Sequence, residues 1–342
     1  MPAVRTEITE IVTGLGMFGY PNLAHALGMR PPGFENVDDV VYDRLAAAYR
    51  SGGHSRVFAT AWSNGVRFAR SAEGLRGRPP WIVEWKGAHR PPGYEQIPAD
   101  LRVDHVYLVS CKYGSNILTN SSPANLFDPR SDEDDWFNAV APDSYQLLYH
   151  ECRRLVPDPS SLPDRVTDLT HDHRRLLKNS LPRNLTDKAR RVYREFALEA
   201  AVGSSRRWDS HLGSRRSQEE MMWRLLRLQS APYFVLGESA EGHTLAYRVQ
   251  TAWDLRASHR FVSFRHWAEE DRGQPIVSWE ATYANRPTGG KVSVAGHIEV
   301  RWSHGKFAQA PEAKVYLDTP HHTVPAYVPL EGRAEGELAL FD

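Results

Sequence analysis

Two short segments carry the residue types and spacing that chemistry on a phosphodiester would need. Glu84-Trp85-Lys86 ends one apolar run, and Ser110-Cys111-Lys112 ends another. Residues two apart on a strand project to the same face, so Glu84 would stand with Lys86 and Ser110 with Lys112. A carboxylate is a hard oxygen ligand of the kind Mg²⁺ or Mn²⁺ takes. An ammonium beside it can orient an attacking water and offset charge on a phosphate.

The partners of these residues depend on how the strands pair. If residues 103–112 form one straight strand, Asp104 lies roughly 26 Å from Lys112, too far to share a metal. A bulge or a later strand start would be needed to bring Asp104 in. An antiparallel pairing of residues 80–87 with 103–112 instead sets Glu84 opposite Ser110, about 5 Å away. Glu84 and Lys86 could equally be the working pair themselves. A second metal carboxylate would come from Asp128, Asp132 or Glu133, or from Glu35 or Asp39.

These motifs resemble those of the PD-(D/E)xK, or restriction-endonuclease-like, nuclease superfamily, over about residues 35–150. Glu84-Trp85-Lys86 matches the Glu-x-Lys pattern, and Ser110-Cys111-Lys112 is similar to its Ser-x-Lys variant. The resemblance implies a metal-dependent DNA nuclease of restriction or repair, using Mg²⁺ or Mn²⁺. It implies catalytic roles among Glu84, Lys86, Asp104, Ser110 and Lys112, with metal held by Glu84 and Asp128. The alternative is a DNA-binding adaptor that keeps the fold without the reaction.

Contacts to DNA have their own candidates. Residues 151–230 hold 17 Lys/Arg against 11 Asp/Glu, although the whole chain balances 42 against 42. Arg206-Arg207-Trp208 and Arg215-Arg216 fall in a Gly/Ser-rich stretch read as a loop, where basic pairs beside an aromatic suit phosphate contact and base stacking. In residues 296–306, Ile298, Val300 and Trp302 alternate with His297, Glu299, Arg301 and Ser303, whose polar face could meet a phosphate or a base edge. His171-Asp172-His173 is a compact cluster, but Arg174 and Arg175 oppose a cation there. At the chain end, Glu337-Leu338-Ala339-Leu340-Phe341 resembles the bacterial sliding-clamp-binding peptide, with Leu338, Leu340 and Phe341 as its apolar contacts.

The elements that must hold these residues read as an α+β chain. Residues 39–50 sit in a helical stretch (37–50) that starts acidic and ends at Gly52-Gly53. Residues 56–62 and 66–70 read as strands joined by Ser63-Asn64-Gly65, a hairpin signal. Residues 81–85 and 103–111 are further strands, rich in Val, Ile, Tyr and Trp. Residues 132–230 read as helical, with Thr186–Val202 closed by Gly203 and Ser217 opening the next helix. Six strands follow between 233 and 317, as an antiparallel meander. The expected organisation is a mixed-sheet α/β core over 1–150, a basic helical region over 151–230, an antiparallel β domain over 231–330 and a tail over 331–342. A 25% charged and 41% hydrophobic composition excludes a mostly disordered chain and a basic coat protein. Two cysteines cannot build a disulfide framework or a Cys-based zinc site, and no run is long enough to span a membrane. A cytoplasmic protein is the expectation.

Overall fold

A computed structural model describes residues 4–87, 99–131, 135–182, 184–270 and 273–330. A helical segment over residues 4–18 (α1) passes through a π-helical stretch at Ile8–Val12. Then come α2 (Leu23–Met29), β1 (Phe34–Glu35), α3 (Asp39–Arg50) and α4 (Ser55–Arg70). Strands β2 (Val83–Trp85), β3 (Leu101–Val103), β4 (Tyr107–Tyr113) and β5 (Ile117–Ser121) follow. The helical stretch holds α5 (Pro123–Phe127), α6 (Trp136–Val140), α7 (Pro142–Arg153), α8 (His171–Ser180), α9 (Asp187–His211) and α10 (Arg215–Leu225). The rest is β6 (Tyr233–Glu238), β7 (Thr244–Val249), α11 (Ala252–Ser258), β8 (His259–Ala268), β9 (Ile276–Asn285), β10 (Lys291–Arg301), β11 (Glu312–Leu317) and β12 (Tyr327–Pro329). The chain is α+β, and no helix among the described residues is long and apolar enough to cross a membrane.

The chain divides into two interleaved compact units rather than the consecutive domains read from the sequence. One is built from residues up to 116, 228–257 and from 321 onward; the other from 117–227 and 258–320. The meander expected over 231–330 is therefore split. Strands β6, β7 and β12 join β1–β4 in a seven-stranded mixed sheet of order β1-β2-β3-β4-β6-β7-β12. The others form a five-stranded antiparallel sheet of order β5-β11-β10-β9-β8.

In the first unit, the pairs β1–β2 and β4–β6 are parallel. One sheet face carries Val83, Trp85, Leu101, Val103, Val109, Phe234 and Leu236, packed with α1 and α4 in a single hydrophobic core. The hairpin expected at residues 56–70 is instead the helix α4. Its buried residues Val57, Phe58, Ala61, Asn64, Gly65 and Phe68 follow a helical period, which outweighs the local turn signal of Ser63-Asn64-Gly65. Gly65 is needed for packing: a Cβ there would lie 2.0 Å from the Thr13 carbonyl oxygen and 2.9 Å from the Gly16 Cα. The two helices meet where both lack side chains.

In the second unit, Gly203 does not end its helix. It lies inside α9, where a Cβ would stand 2.3 Å from the Val140 carbonyl oxygen. Helix α10 starts earlier than expected, with Ser214 as its N-cap and Ser217 completing the capping box. Thr170 and His173 close a similar box at α8, which gives the His171-Asp172-His173 cluster a capping role. Phe137, Phe196, Tyr145, Trp302 and Phe307 pack ring on ring at the core.

The close crossing at Gly65 predicts opposite outcomes for two glycines. Gly65→Ala should lower stability by about 1–3 kcal/mol in urea unfolding, because overpacking exceeds the gain in helix propensity. Gly28→Ala in α2, where a Cβ meets nothing within 4 Å, should be neutral or raise stability by up to about 1 kcal/mol.

Candidate active site

The candidate residues of the first unit sit on β2, β3 and β4. The run at 103–112 is not one strand. A tight turn at Asp104 and His105, both with left-handed backbone (φ 50° and 59°), splits it, and the Val106 N–H donates to the Val103 carbonyl at 3.1 Å. Strand β3 therefore lies between β2 and β4, with the partners Trp85–Leu101 and Leu101–Val109. Glu84 stands opposite Arg102, not opposite Ser110.

This register decides what each carboxylate touches. Glu84 is held by the Arg102 guanidinium through both of its oxygens, and His105 Nδ1 lies 3.1 Å away. The Arg102 partner holds the Glu84 carboxyl below its ordinary value, against the opposing effect of burial. Asp104 is a framework residue: it accepts from the Trp81 N–H at 2.7 Å and the Ile82 N–H at 3.2 Å, and pairs with Arg78 at 2.6 Å. Asp104 sits at the turn, at the far end of the hairpin from Ser110.

The carboxylate that does stand beside Ser110 is Asp100, at the start of β3. Its Oδ2 accepts from the Cys111 N–H at 2.6 Å and, more weakly, from the Ser110 hydroxyl at 3.4 Å. The Asp100 N–H donates to the Val109 carbonyl at 2.8 Å, and the Lys86 N–H donates to the Asp100 carbonyl at 3.0 Å. Lys86, Asp100 and Ser110 thus form a row across three neighbouring strands. Lys112 follows two residues beyond Ser110, and Lys86 is nearly buried. Burial first, then the Asp100 and Glu10 carboxylates, push the Cys111 thiol well up, while Lys112 opposes them. Glu10, from α1, accepts from the Trp85 indole N–H at 2.6 Å.

Glu10 and Asp100 were not singled out by the sequence reading. The signal for Asp100 was its place ten residues before Ser110, once a three-residue loop over 104–106 is allowed between the strands. Asp-His is a weaker turn signature than Asn-Gly or Asp-Gly, and a straight strand hid the pairing. Nothing local in the sequence marked Glu10.

Beyond β4, Gly237 of β6 is the partner of Lys112, and a Cβ at Gly237 would lie 2.0 Å from the Lys112 carbonyl oxygen. The next residue, Glu238, is buried and holds Arg56 and Thr60 of α4. The lysine strand is therefore fixed from both sides.

The second unit contains the remaining candidates. Asp128 is buried and bound by Arg207 at 2.9 Å and His211 at 2.8 Å. Arg206, Arg207 and Trp208 lie within α9 and Arg215 and Arg216 in the first turn of α10, so the expected loop is helical. Trp208 is fully buried, packs on Phe127 and donates to the Leu126 carbonyl at 2.9 Å, which removes it from base stacking. Arg215 donates to the Phe261 carbonyl, Arg216 pairs with Glu220 at 2.8 Å, and Arg301 pairs with Glu299 at 2.9 Å. Arg206 and Arg216 remain exposed on their helices. Residues 132 and 133, and the tail with Leu338, Leu340 and Phe341, lie outside the described residues. Among the described residues, no three His, Cys, Asp or Glu side chains form a group able to hold a metal ion.

The Glu84–Arg102 pair generates a stability prediction. Glu84→Ala leaves a largely buried guanidinium without its carboxylate and should cost about 1–3 kcal/mol at neutral pH. A carboxyl lowered in the folded state stabilises above its ordinary value of 4.5 and loses that contribution as pH falls through the lowered folded value. The gap between wild type and variant in urea unfolding should therefore shrink below about pH 4.

No family model, no curated protein and no solved structure matches this chain.

Proposed function

We propose that this chain is a metal-dependent deoxyribonuclease whose centre is Asp100, Ser110 and Lys112, flanked by Lys86. The observation that carries the reading is the Asp100 carboxylate bonded across the hairpin to Ser110 and Cys111, with Lys112 two residues further along the strand. An acid at the start of one strand and a Ser-x-Lys at the end of its neighbour is the arrangement that the restriction-endonuclease-like resemblance requires.

The donor set suits a hard divalent cation. Mg²⁺ takes oxygen ligands and needs only one or two carboxylates, completing its shell with waters and substrate phosphate oxygens. Asp100 would supply such a carboxylate, its Oδ2 lying against the Cys111 N–H and the Ser110 hydroxyl. Bound there, the ion would supply charge neutralisation at the phosphate and a more acidic water. Lys112 would orient the attacking water and hold it near the scissile phosphate, and Lys86 would add positive charge beside Asp100. Ser110 accommodates the Asp100 carboxylate by donating to it. Glu84 supports this centre from outside by fixing Arg102 and hence the centre strand. A serine where the pattern usually has a carboxylate favours the second reading, an adaptor that binds DNA without cutting it. In either reading the tail residues Leu338, Leu340 and Phe341 would carry a contact to a sliding clamp.

The test uses labelled single- and double-stranded DNA with Mg²⁺, with Mn²⁺ and with EDTA. Asp100→Asn and Lys112→Ala should each reduce metal-dependent cleavage by about 100-fold or more, whereas Glu84→Gln should keep most of it. Cleavage that survives Asp100→Asn would overturn the assignment of the centre. DNA binding with no cleavage by the wild type would establish the adaptor.

A further inference from the structure

A second site is built on the five-stranded sheet. Trp267 of β8, Ser278 of β9, His297 of β10 and Tyr316 of β11 are successive cross-strand partners, so they form one row on one face. A cavity of about 250 Å³ opens on this row, lined by Trp267, Glu269, Ile276, Ser278, His297 and Asp318. It is smaller than the pockets that take drug-sized ligands, which sets its occupant near the size of one heteroaromatic ring.

The polar groups of the lining are sorted by type. The Ser278 hydroxyl donates to Glu269 at 2.7 Å, and the Trp267 indole N–H donates to the same carboxylate at 2.8 Å. His297 Nδ1 lies 2.8 Å from an Asp318 oxygen, and the ring stacks on Tyr316 at 4.8 Å and 9°. A carboxylate only accepts, so Nδ1 carries a proton and donates it to Asp318. The donors of Trp267 and Ser278 are spent on Glu269, the buried Trp279 indole N–H of the wall has no partner, and the row itself offers a ligand the carboxylates Glu269 and Asp318 as acceptors. The cations on either side are turned to their own partners, Arg265 to Glu280 and Arg301 to Glu299. The surface is thus poorly suited to phosphate. Trp267 is 39% exposed, and Arg265 lies 5.2 Å from its ring centre, so the indole is braced where a flat ring could stack.

We propose that this cavity binds one unpaired amino-bearing pyrimidine base of the cytosine type, stacked on Trp267, with its exocyclic amino group donating to Glu269 or Asp318. Carboxylates are the side chains that accept from the cytosine amino group. Uracil has nearly the same shape but carries an oxygen acceptor at that position, which would face the two carboxylates. The base can reach the cavity as a free nucleoside or as a base unstacked from DNA. Only the second source rests on the DNA reading above.

The test measures binding to the full chain carrying Asp100→Asn, so that no substrate is cut, by calorimetry and by tryptophan fluorescence. Cytidine should bind at least about 10-fold more tightly than uridine, and Trp267→Ala should weaken cytidine by about 10-fold or more. Asp318→Asn, a change outside the apolar core, should erode the preference for cytidine over uridine. A duplex with one bulged cytosine that binds more tightly than its fully paired counterpart, and loses that margin in Trp267→Ala, assigns the base to DNA. Cytidine binding without that margin assigns it to the free nucleoside. Equal affinity for cytidine and uridine, or cytidine binding unchanged in Trp267→Ala, overturns the proposal and leaves the cleavage reading untouched.

Discussion

The register of the β3–β4 hairpin is the constraint on which the candidate centre depends. Two left-handed residues, Asp104 and His105, close the turn, and the Asp104 carboxylate ties that turn to the chain entering β2. Three strands are aligned by one local structure. A slip of one residue would move every side chain on β4 to the other face. Asp100 would then lose Ser110, and Lys112 would turn into the core. The bond from the Cys111 N–H to Asp100 fixes the other end of the hairpin, so the acid is held by the strand whose lysine it would work beside.

The packing below the sheet serves the same alignment. Helices α1 and α4 approach closely because Gly16 and Gly65 leave room, and α1 carries Glu10 to the Trp85 indole at the edge of β2. Gly237 lets β6 come against Lys112. The site is thus a product of side chains removed as much as of side chains present. None of these glycines contributes chemistry, yet each sets a distance on which the carboxylates and lysines depend.

Much of the chain was legible in the sequence, and the failures share a cause. The α+β class, helix α3 and most of the strands after 233 follow from periodicity and turn residues, because those signals are local. The hairpin expected over 56–62 and 66–70 is a helix because a burial pattern spanning four helical turns outweighs one turn-like tripeptide. Ser110 and Lys112 were recognisable as a pair, but Glu84 was matched to them through a register that skipped β3. Pairing across strands depends on which loop is tight and which is long, and residue types report that weakly. The Trp208 reading failed similarly: an aromatic beside arginines looks like a nucleic-acid contact until a helix turns it inward onto Phe127.

The interleaving of the two units has a consequence for how the chain is made. The segments of the second unit end at residue 320, so it has all of its chain before the first unit does. The first unit must wait for β12, which completes its sheet against β7. During synthesis its early helices and strands are therefore exposed, with an open sheet edge, while the intervening unit is translated and folds. Strand pairings across such long intervals are slow to form. A ribosome that stops short of residue 327 would release a polypeptide whose inserted unit can be finished while the unit carrying Asp100 and Lys112 still lacks its last strand.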